Sequence, residues 1–408
     1  MSINKKNFIW NIIGTTISSF NSLFFMIVVT RVNGVDAAGI FSFGFSFACL
    51  FYIIGIYSGR VFQVTDTDEE NDSFSYINNH IISCFLMLIL AVIFCLIRNY
   101  SGYKFLIVVL LVIFKMLEAF SETLYAVIQL RNKLYKVGIS LFIKAIIGLM
   151  LFILIEVLSG NLIISILSVI LVNLFMILLY DFKSTSLDLR NYKFDMNRVI
   201  KLFKIGFWAF AFTFLNLYLI NLSKYLIDFF CTDDVQTFFG ILVMPATVVS
   251  MFAQFIIHPM LLNIKEYISN YNIVGLTKLI RKLSLAIIAF GICAVTVMYF
   301  VGIQVLNLIY GISLNGYRLY LIIVLVGATF YSIMVIFSNV LTAFRKTISQ
   351  TIVYAILSII CTFISFILIN KYSIQGAIYS YLISMISLFI SFLILTYKIL
   401  IDFKKERC

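Results

Sequence analysis

The feature that most restricts this chain is a series of long apolar runs. From Leu319 to Ala343 there is no charged residue, and the same holds from Leu162 to Tyr180 and from Ile348 to Asn370. About 20 apolar residues suffice to cross a bilayer core of about 30 Å. Backbone polar groups in lipid find partners only within the chain, so runs of this kind are read as helices; barrel strands would alternate at every second residue. Twelve spans follow, near residues 8–30, 38–58, 77–97, 105–129, 137–157, 162–180, 203–226, 238–262, 283–308, 319–343, 348–369 and 374–400. The expected fold class is an all-α polytopic membrane protein with twelve transmembrane helices in two six-helix lobes. With 62% hydrophobic and 12% charged residues in 408, and a mean hydropathy of +1.08, a soluble globular class is excluded. Lys5 and Lys6 ahead of the first run imitate a secretory signal, but the length of that run and the Thr30-Arg31 end favour an uncleaved first span over cleavage at Ala37-Ala38-Gly39.

A net charge of +12 suggests nucleic acid until the basic residues are placed. Both termini and the connectors after even-numbered spans carry twenty-two of the thirty Lys and Arg, the opposite side carries five, and Lys115, Lys144 and Lys224 lie within spans. The positive-inside rule accounts for the charge and puts both termini in the cytoplasm; no nucleic-acid partner is implied. The acidic connector Asp66 to Asp72 falls on the cytoplasmic side without affecting that count, since acidic residues contribute little to orientation. The longest hydrophilic stretch divides the chain into an N-lobe at 1–181, a linker at 182–202 and a C-lobe at 203–408. Six spans per block means that both blocks enter the membrane in the same sense, as in parallel-repeat transporters. The seven cysteines sit singly, with no metal, haem or disulfide spacing, and no cofactor is expected.

Polar residues inside the spans carry the functional signal. Lys115, Glu118, Glu122, Tyr125 and Gln129 recur at steps of three and four, which makes one stripe on a helix. Each ion at mid-bilayer costs between ~3 and ~15 kcal/mol unless paired or hydrated. Span 5 adds Lys136, Ser140, Lys144 and Gly148 on one face. A Glu118–Lys144 or Glu122–Lys144 pair would pin the two helices together; in the functional alternative the carboxylates carry protons or sodium and the lysines meet phosphate. Asn221, Lys224 and Asp228 share a face of span 7, near Asn216. Span 1 has Asn11, Gly14, Thr15, Ser18 and Asn21 on a polar side and ends in Arg31; such small residues serve close helix packing or line a cavity. Arg60 at the inner end of span 2 reads as a snorkelling boundary residue. Span 8 holds the two prolines, Pro245 and Pro259, so a kink and a hinge are expected there. His258 between them reads as a packing residue more readily than as a proton relay.

Taken in order, Gly39-Ile-Phe-Ser, Arg60-Val-Phe-Gln63-Val-Thr-Asp66, Lys115-Met-Leu-Glu118-Ala, Asn221-Leu-Ser-Lys224-Tyr-Leu-Ile-Asp228, Gln236 and Gly376-Ala377 resemble the bacterial polysaccharide-repeat-unit flippases of the multidrug/oligosaccharidyl-lipid/polysaccharide exporter superfamily. The resemblance spans essentially the whole chain and implies two lobes around a central cavity with alternating access. It implies a substrate, an undecaprenyl-pyrophosphate-linked oligosaccharide moved from the inner to the outer leaflet of the bacterial cytoplasmic membrane for O-antigen, capsule or exopolysaccharide assembly. The further partners it implies are membrane lipid, a polysaccharide polymerase and other assembly proteins. On that reading Arg31, Arg60, Lys115, Lys144 and Lys224 are candidate phosphate contacts, with Asn21, Asn216 and Asn221 available to sugar hydroxyls. Glu118, Glu122 and Asp228 are candidates for ion coupling, and Pro245 and Pro259 for the hinge. The chain departs from many relatives at Ser121-Glu122 and Ala126 to Gln129, in span 4.

Two other functions compete. A membrane polysaccharide polymerase would have as many spans, and Asp66-Thr67-Asp68 resembles a metal-nucleotide motif; the short outer connectors and the cytoplasmic side of that motif oppose an enzyme. A small-molecule or drug exporter of the same superfamily is the nearer alternative.

Overall fold

The computed structural model describes residues 3–57, 59–65, 73–187 and 194–405. The acidic connector 66–72, with Asp66 of the Arg60 motif, and the basic residues Arg190, Lys193 and Arg407 of the charge count lie outside them, as does the side chain of His258. Among the described residues the secondary structure is helical throughout, and two compact units form, Met1–Phe214 and Leu215–Cys408.

Nine helices are long and apolar enough to cross a membrane among the described residues. Two of them are each a pair of spans joined across one non-helical residue. Ile3–Ile56 breaks at Gly34 (φ 84°, ψ −172°) into α1 (3–33) and α2 (35–56). Thr347–Lys405 breaks at Ser373 (φ 50°, ψ −124°) into α11 (347–372) and α12 (374–405). Glycine enters this left-handed region without steric cost, whereas Ser373 holds it against its own Cβ. Gly102–Leu130 (α4), which carries Lys115, Glu118 and Glu122 on its stripe, brings the spans among the described residues to twelve. The others are α3 (Ser73–Ile97), α5 (Leu134–Ser159), α6 (Leu162–Thr185), α7 (Met196–Phe230), α8 (Asp233–Ile257), α9 (Ile273–Tyr310) and α10 (Arg318–Ala343).

The helix ends have local causes. Asn161 Oδ1 accepts from the N–H groups of Ile163 (3.1 Å) and Ile164 (3.3 Å) at the start of α6, and Gly160 closes α5 in the left-handed conformation. In the first unit α5 packs on α1 and α6, and α4 contacts α3, α6 and the α1–α2 pair. The seam between α1 and α5 is backbone on backbone: a Cβ built on Gly14 would lie 2.2 Å from the carbonyl oxygen of Gly138. In the second unit α10, free of charge after its first residue Arg318, is the hub, packed against α8, α9 and the α11–α12 pair, with Val324, Ala328, Ile336 and Val340 fully buried.

Two boundaries differ from expectation. The sixth span does not stop at Tyr180. A π turn, Ile177–Asp181, carries α6 on to Thr185, and Asp181, Ser184 and Thr185 are buried, so the first residues assigned to the linker are ordered helix. In α8 the helix continues through Pro245 and gives way at Pro259, in a 3-10 turn (His258–Met260) that leads to the short helix Leu261–Ser269.

Candidate functional site

The polar stripe of α4 faces the inside of the first unit. There α1, α2, α4, α5 and α6 enclose a cavity of about 140 Å³. Its polar wall includes Asn21, Tyr52, Glu118, Glu122, Tyr125, Lys144 and Asn173. A single water needs roughly 10–15 Å³ on this measure, so the space accepts a group far larger than one water.

Among the described residues, three ion pairs surround it. Lys115 Nζ lies 2.7 Å from Glu118 Oε2, one turn along α4, and stands over the rings of Phe45 (4.7 Å) and Phe114 (5.0 Å). Arg60, on the short helix Gly59–Thr65, places Nε 3.6 Å from Glu122 Oε2. Snorkelling is therefore not its role here: the guanidinium turns toward α4, because Glu122 in the wall needs a counter-charge. Three residues on, Gln63 Oε1 accepts from Thr123 Oγ1 at 3.2 Å, which fixes the same short helix to α4 a second time.

Lys144 pairs with neither glutamate of α4, contrary to expectation. Its Nζ donates to Asp181 Oδ2 (2.6 Å), Ser121 Oγ (2.9 Å) and Tyr125 Oη (2.9 Å), and an ammonium has three donors to give. Ser140 Oγ donates to Asp181 Oδ1 (2.6 Å), which leaves the Tyr125 hydroxyl to donate to Ser140 (3.0 Å), while Ser121 Oγ donates to the Leu117 carbonyl (2.9 Å). The network is closed, with Lys144 6% and Asp181 0% exposed. Buried polar networks with every member satisfied fix one arrangement of the helices that carry them.

The structure thus gathers Asn21, Arg60, Lys115, Glu118, Glu122 and Lys144 around one cavity of the first unit. Arg31 is exposed at the end of α1 and is absent from the cavity wall. Asn216, Asn221, Lys224 and Asp228 belong to the second unit, half-buried on α7. Asn216 Oδ1 accepts from the Tyr331 hydroxyl at 3.4 Å, and Asn221 Nδ2 donates to the Leu217 carbonyl at 3.2 Å. Pro245 is half-buried and Pro259 exposed.

Sequence reasoning missed Asp181, Tyr52 and Asn173. Asn173 and Asp181 are eight residues apart, which on an ideal α-helix turns one roughly 80° from the other. The π turn absorbs one residue and brings Asp181 back to the α5 side. No stripe signal could have shown that.

No family model matches the sequence, and no curated protein matches it. Solved structures share the fold. The chain is similar to one titled lipid II flippase MurJ, inward closed conformation, with a TM-score of 0.72 and 17% identity over 95% of this chain and 87% of that one. A multidrug resistance MATE family transporter of the MOP superfamily, inward-facing, gives 0.67 and 12% identity over 97% and 99%. A MATE transporter of Vibrio cholerae gives 0.61 and 14% identity over 98% and 97%.

Proposed function

We propose that the chain moves an undecaprenyl-pyrophosphate-linked oligosaccharide repeat unit from the inner to the outer leaflet of the bacterial cytoplasmic membrane, by alternating access of its two lobes. The observation that carries this reading is the fold shared over 95% of the chain with a lipid II flippase, whose cargo is likewise lipid-linked. The motif resemblance that runs from Gly39 to Ala377 supports the polysaccharide class. The pyrophosphate needs cations and the sugars need hydrogen-bonding groups in a hydrated space, while the polyprenyl tail stays in lipid.

Among the candidate cations of the first unit, Arg60 is the best placed for phosphate. Its Nη1 is buried without a hydrogen-bond partner while Nε faces Glu122, so a phosphate oxygen would complete the guanidinium. Lys144 has no N–H left to offer in this structure. We assign Lys224 the corresponding role in the second unit, and coupling to a proton or sodium gradient to Glu118, Glu122 or Asp228. The test is complementation of a strain that lacks its own repeat-unit flippase, with surface polymer and accumulated lipid-linked intermediate as readouts. Arg60→Gln alone is expected to lower export about tenfold to a hundredfold, the range set by a lost charge-assisted contact. Export that survives Arg60→Gln combined with Lys224→Gln would remove the phosphate assignment.

A second reading, export of small molecules, is favoured by the MATE-titled neighbour at a TM-score of 0.67. It expects the chain to raise the resistance of a pump-deficient host to organic cations, and the flippase reading expects no change.

A further inference from the structure

We infer that the cavity of the first unit is a subsite for one uncharged, hydroxyl-rich ring, a sugar residue, and not for pyrophosphate or an organic cation. The inference rests on the proposed function only for the source of that ring.

Charge argues first. Around the cavity stand three cations, Arg60, Lys115 and Lys144, and three carboxylates, Glu118, Glu122 and Asp181, and each cation has its own carboxylate at 3.6, 2.7 and 2.6 Å respectively. Paired charges leave little net field at the cavity for pyrophosphate or an organic cation, and Arg60, whose Nη1 is assigned to phosphate, is not among the residues that line it. A pyrophosphate entering here would have to break the Lys144–Asp181 pair and leave Asp181 buried without its counter-ion, and an organic cation would have to displace Lys115 or Arg60 from its glutamate.

The unfilled hydrogen bonds argue next. Asn173 is 2% exposed, and its Nδ2 donates to the Val169 carbonyl at 2.9 Å while Oδ1 has no partner. Asn21, in the same lining, repeats the pattern: Nδ2 donates to the Ala145 carbonyl at 3.2 Å and Oδ1 is buried without a partner. Both amides are held by their donor side, so each directs an acceptor that asks for a hydroxyl hydrogen. Buried acceptors of this kind in native proteins find a partner, and a polyol supplies donors without adding charge. Phe114, Tyr52 and Tyr125 supply the apolar and aromatic remainder of the wall, the composition expected of a small-ligand pocket with a few convergent polar groups. The volume of about 140 Å³ suits a single ring rather than an oligosaccharide.

The experiment is saturation-transfer NMR on the full-length protein in nanodiscs. The probes are free neutral monosaccharides (glucose, galactose, rhamnose, N-acetylglucosamine), inorganic pyrophosphate and tetraethylammonium. At least one neutral sugar is expected to show transfer to its ring protons. That signal should persist when salt is raised from about 0.1 to about 1 M, which shortens the screening length from ~10 to ~3 Å. Asn21→Ala and Asn173→Ala should each weaken the binding about tenfold, the effect of one lost hydrogen bond, with unchanged gel-filtration profiles. Ser19→Ala, which removes only a hydroxyl bonded at 2.7 Å to its own helix, should leave binding intact and so serves as the folding control. Absence of transfer to every sugar, displacement of the sugar by pyrophosphate or tetraethylammonium, or equal binding by the Asn variants would overturn the inference. The flippase reading fails separately: there the wild-type chain does not restore surface polymer, whether or not a free sugar binds.

Discussion

Lys144→Met is expected to destabilise the folded protein by about 3–5 kcal/mol, the range for breaking one side of a buried ion pair. The substitution keeps most of the side-chain volume but leaves Asp181, fully buried in α6, with Ser140 as its remaining hydrogen-bond donor among the contacts described, and leaves Ser121 and Tyr125 without the ammonium they accept from. The cost therefore comes from the stranded carboxylate more than from any net attraction in the pair, since desolvation of two ions consumes most of what their contact returns. It follows that Lys144→Met combined with Asp181→Asn should recover a large part of the loss, because no charge is then buried alone. Thermal unfolding of the detergent-solubilised protein, with the two single variants and the double variant closing a cycle, reads this directly. Additive single effects, with no recovery in the double variant, would show that the two residues do not act as a pair.

Gly138→Ala is expected to be at least as disruptive as a typical overpacking change, about 3 kcal/mol or a failure to accumulate folded protein. The added Cβ would lie 2.2 Å from the Trp10 carbonyl oxygen and 2.7 Å from the Asn11 nitrogen. Both are backbone atoms of α1, so relief requires the helix itself to move rather than a side chain to rotate. Small residues at such crossings let helices meet where lipid offers no hydrophobic drive for association. Gly148→Ala on the same helix is the control: its Cβ meets Val169 Cγ1 at an ordinary 3.5 Å, so little change is expected. Fluorescence-detected gel filtration after heating compares the two variants with the parent. Equal melting of Gly138→Ala and Gly148→Ala would contradict the close α1–α5 seam.

Much of this architecture is legible before any coordinates. Run length and charge-free stretches set the twelve spans, because lipid leaves the backbone no alternative to helix. The spacing of Lys115, Glu118, Glu122 and Tyr125 already places one polar face on α4, since periodicity on a single helix is a local property. What periodicity does not carry is the partner across a gap. Arg60 and Glu122 are far apart in sequence, and each satisfied a simpler local rule: a boundary cation in one case, a carboxylate near a lysine in the other. Asp181 was hidden differently. Hydropathy ends the sixth span one residue before it, and the charge itself makes it look like the last residue before the linker. Only the π turn of Ile177–Asp181 shows that the helix continues and turns this carboxylate inward to meet Lys144. The unpartnered Oδ1 atoms of Asn21 and Asn173 are legible only once both helices stand around the same cavity, because asparagine in a span reads equally well as packing.

The central claim, movement of a lipid-linked oligosaccharide across the bilayer, is tested most directly in liposomes that contain the purified protein and a fluorescent undecaprenyl-pyrophosphate oligosaccharide in both leaflets. A membrane-impermeant quencher reads how much of the lipid becomes accessible over time. The account predicts that protein-containing liposomes expose the inner-leaflet fraction faster than protein-free ones, and that Arg60→Gln slows the exposure. Accessibility fixed at the outer-leaflet fraction, for a protein that elutes as a folded species and with donors of several sugar compositions, would contradict it.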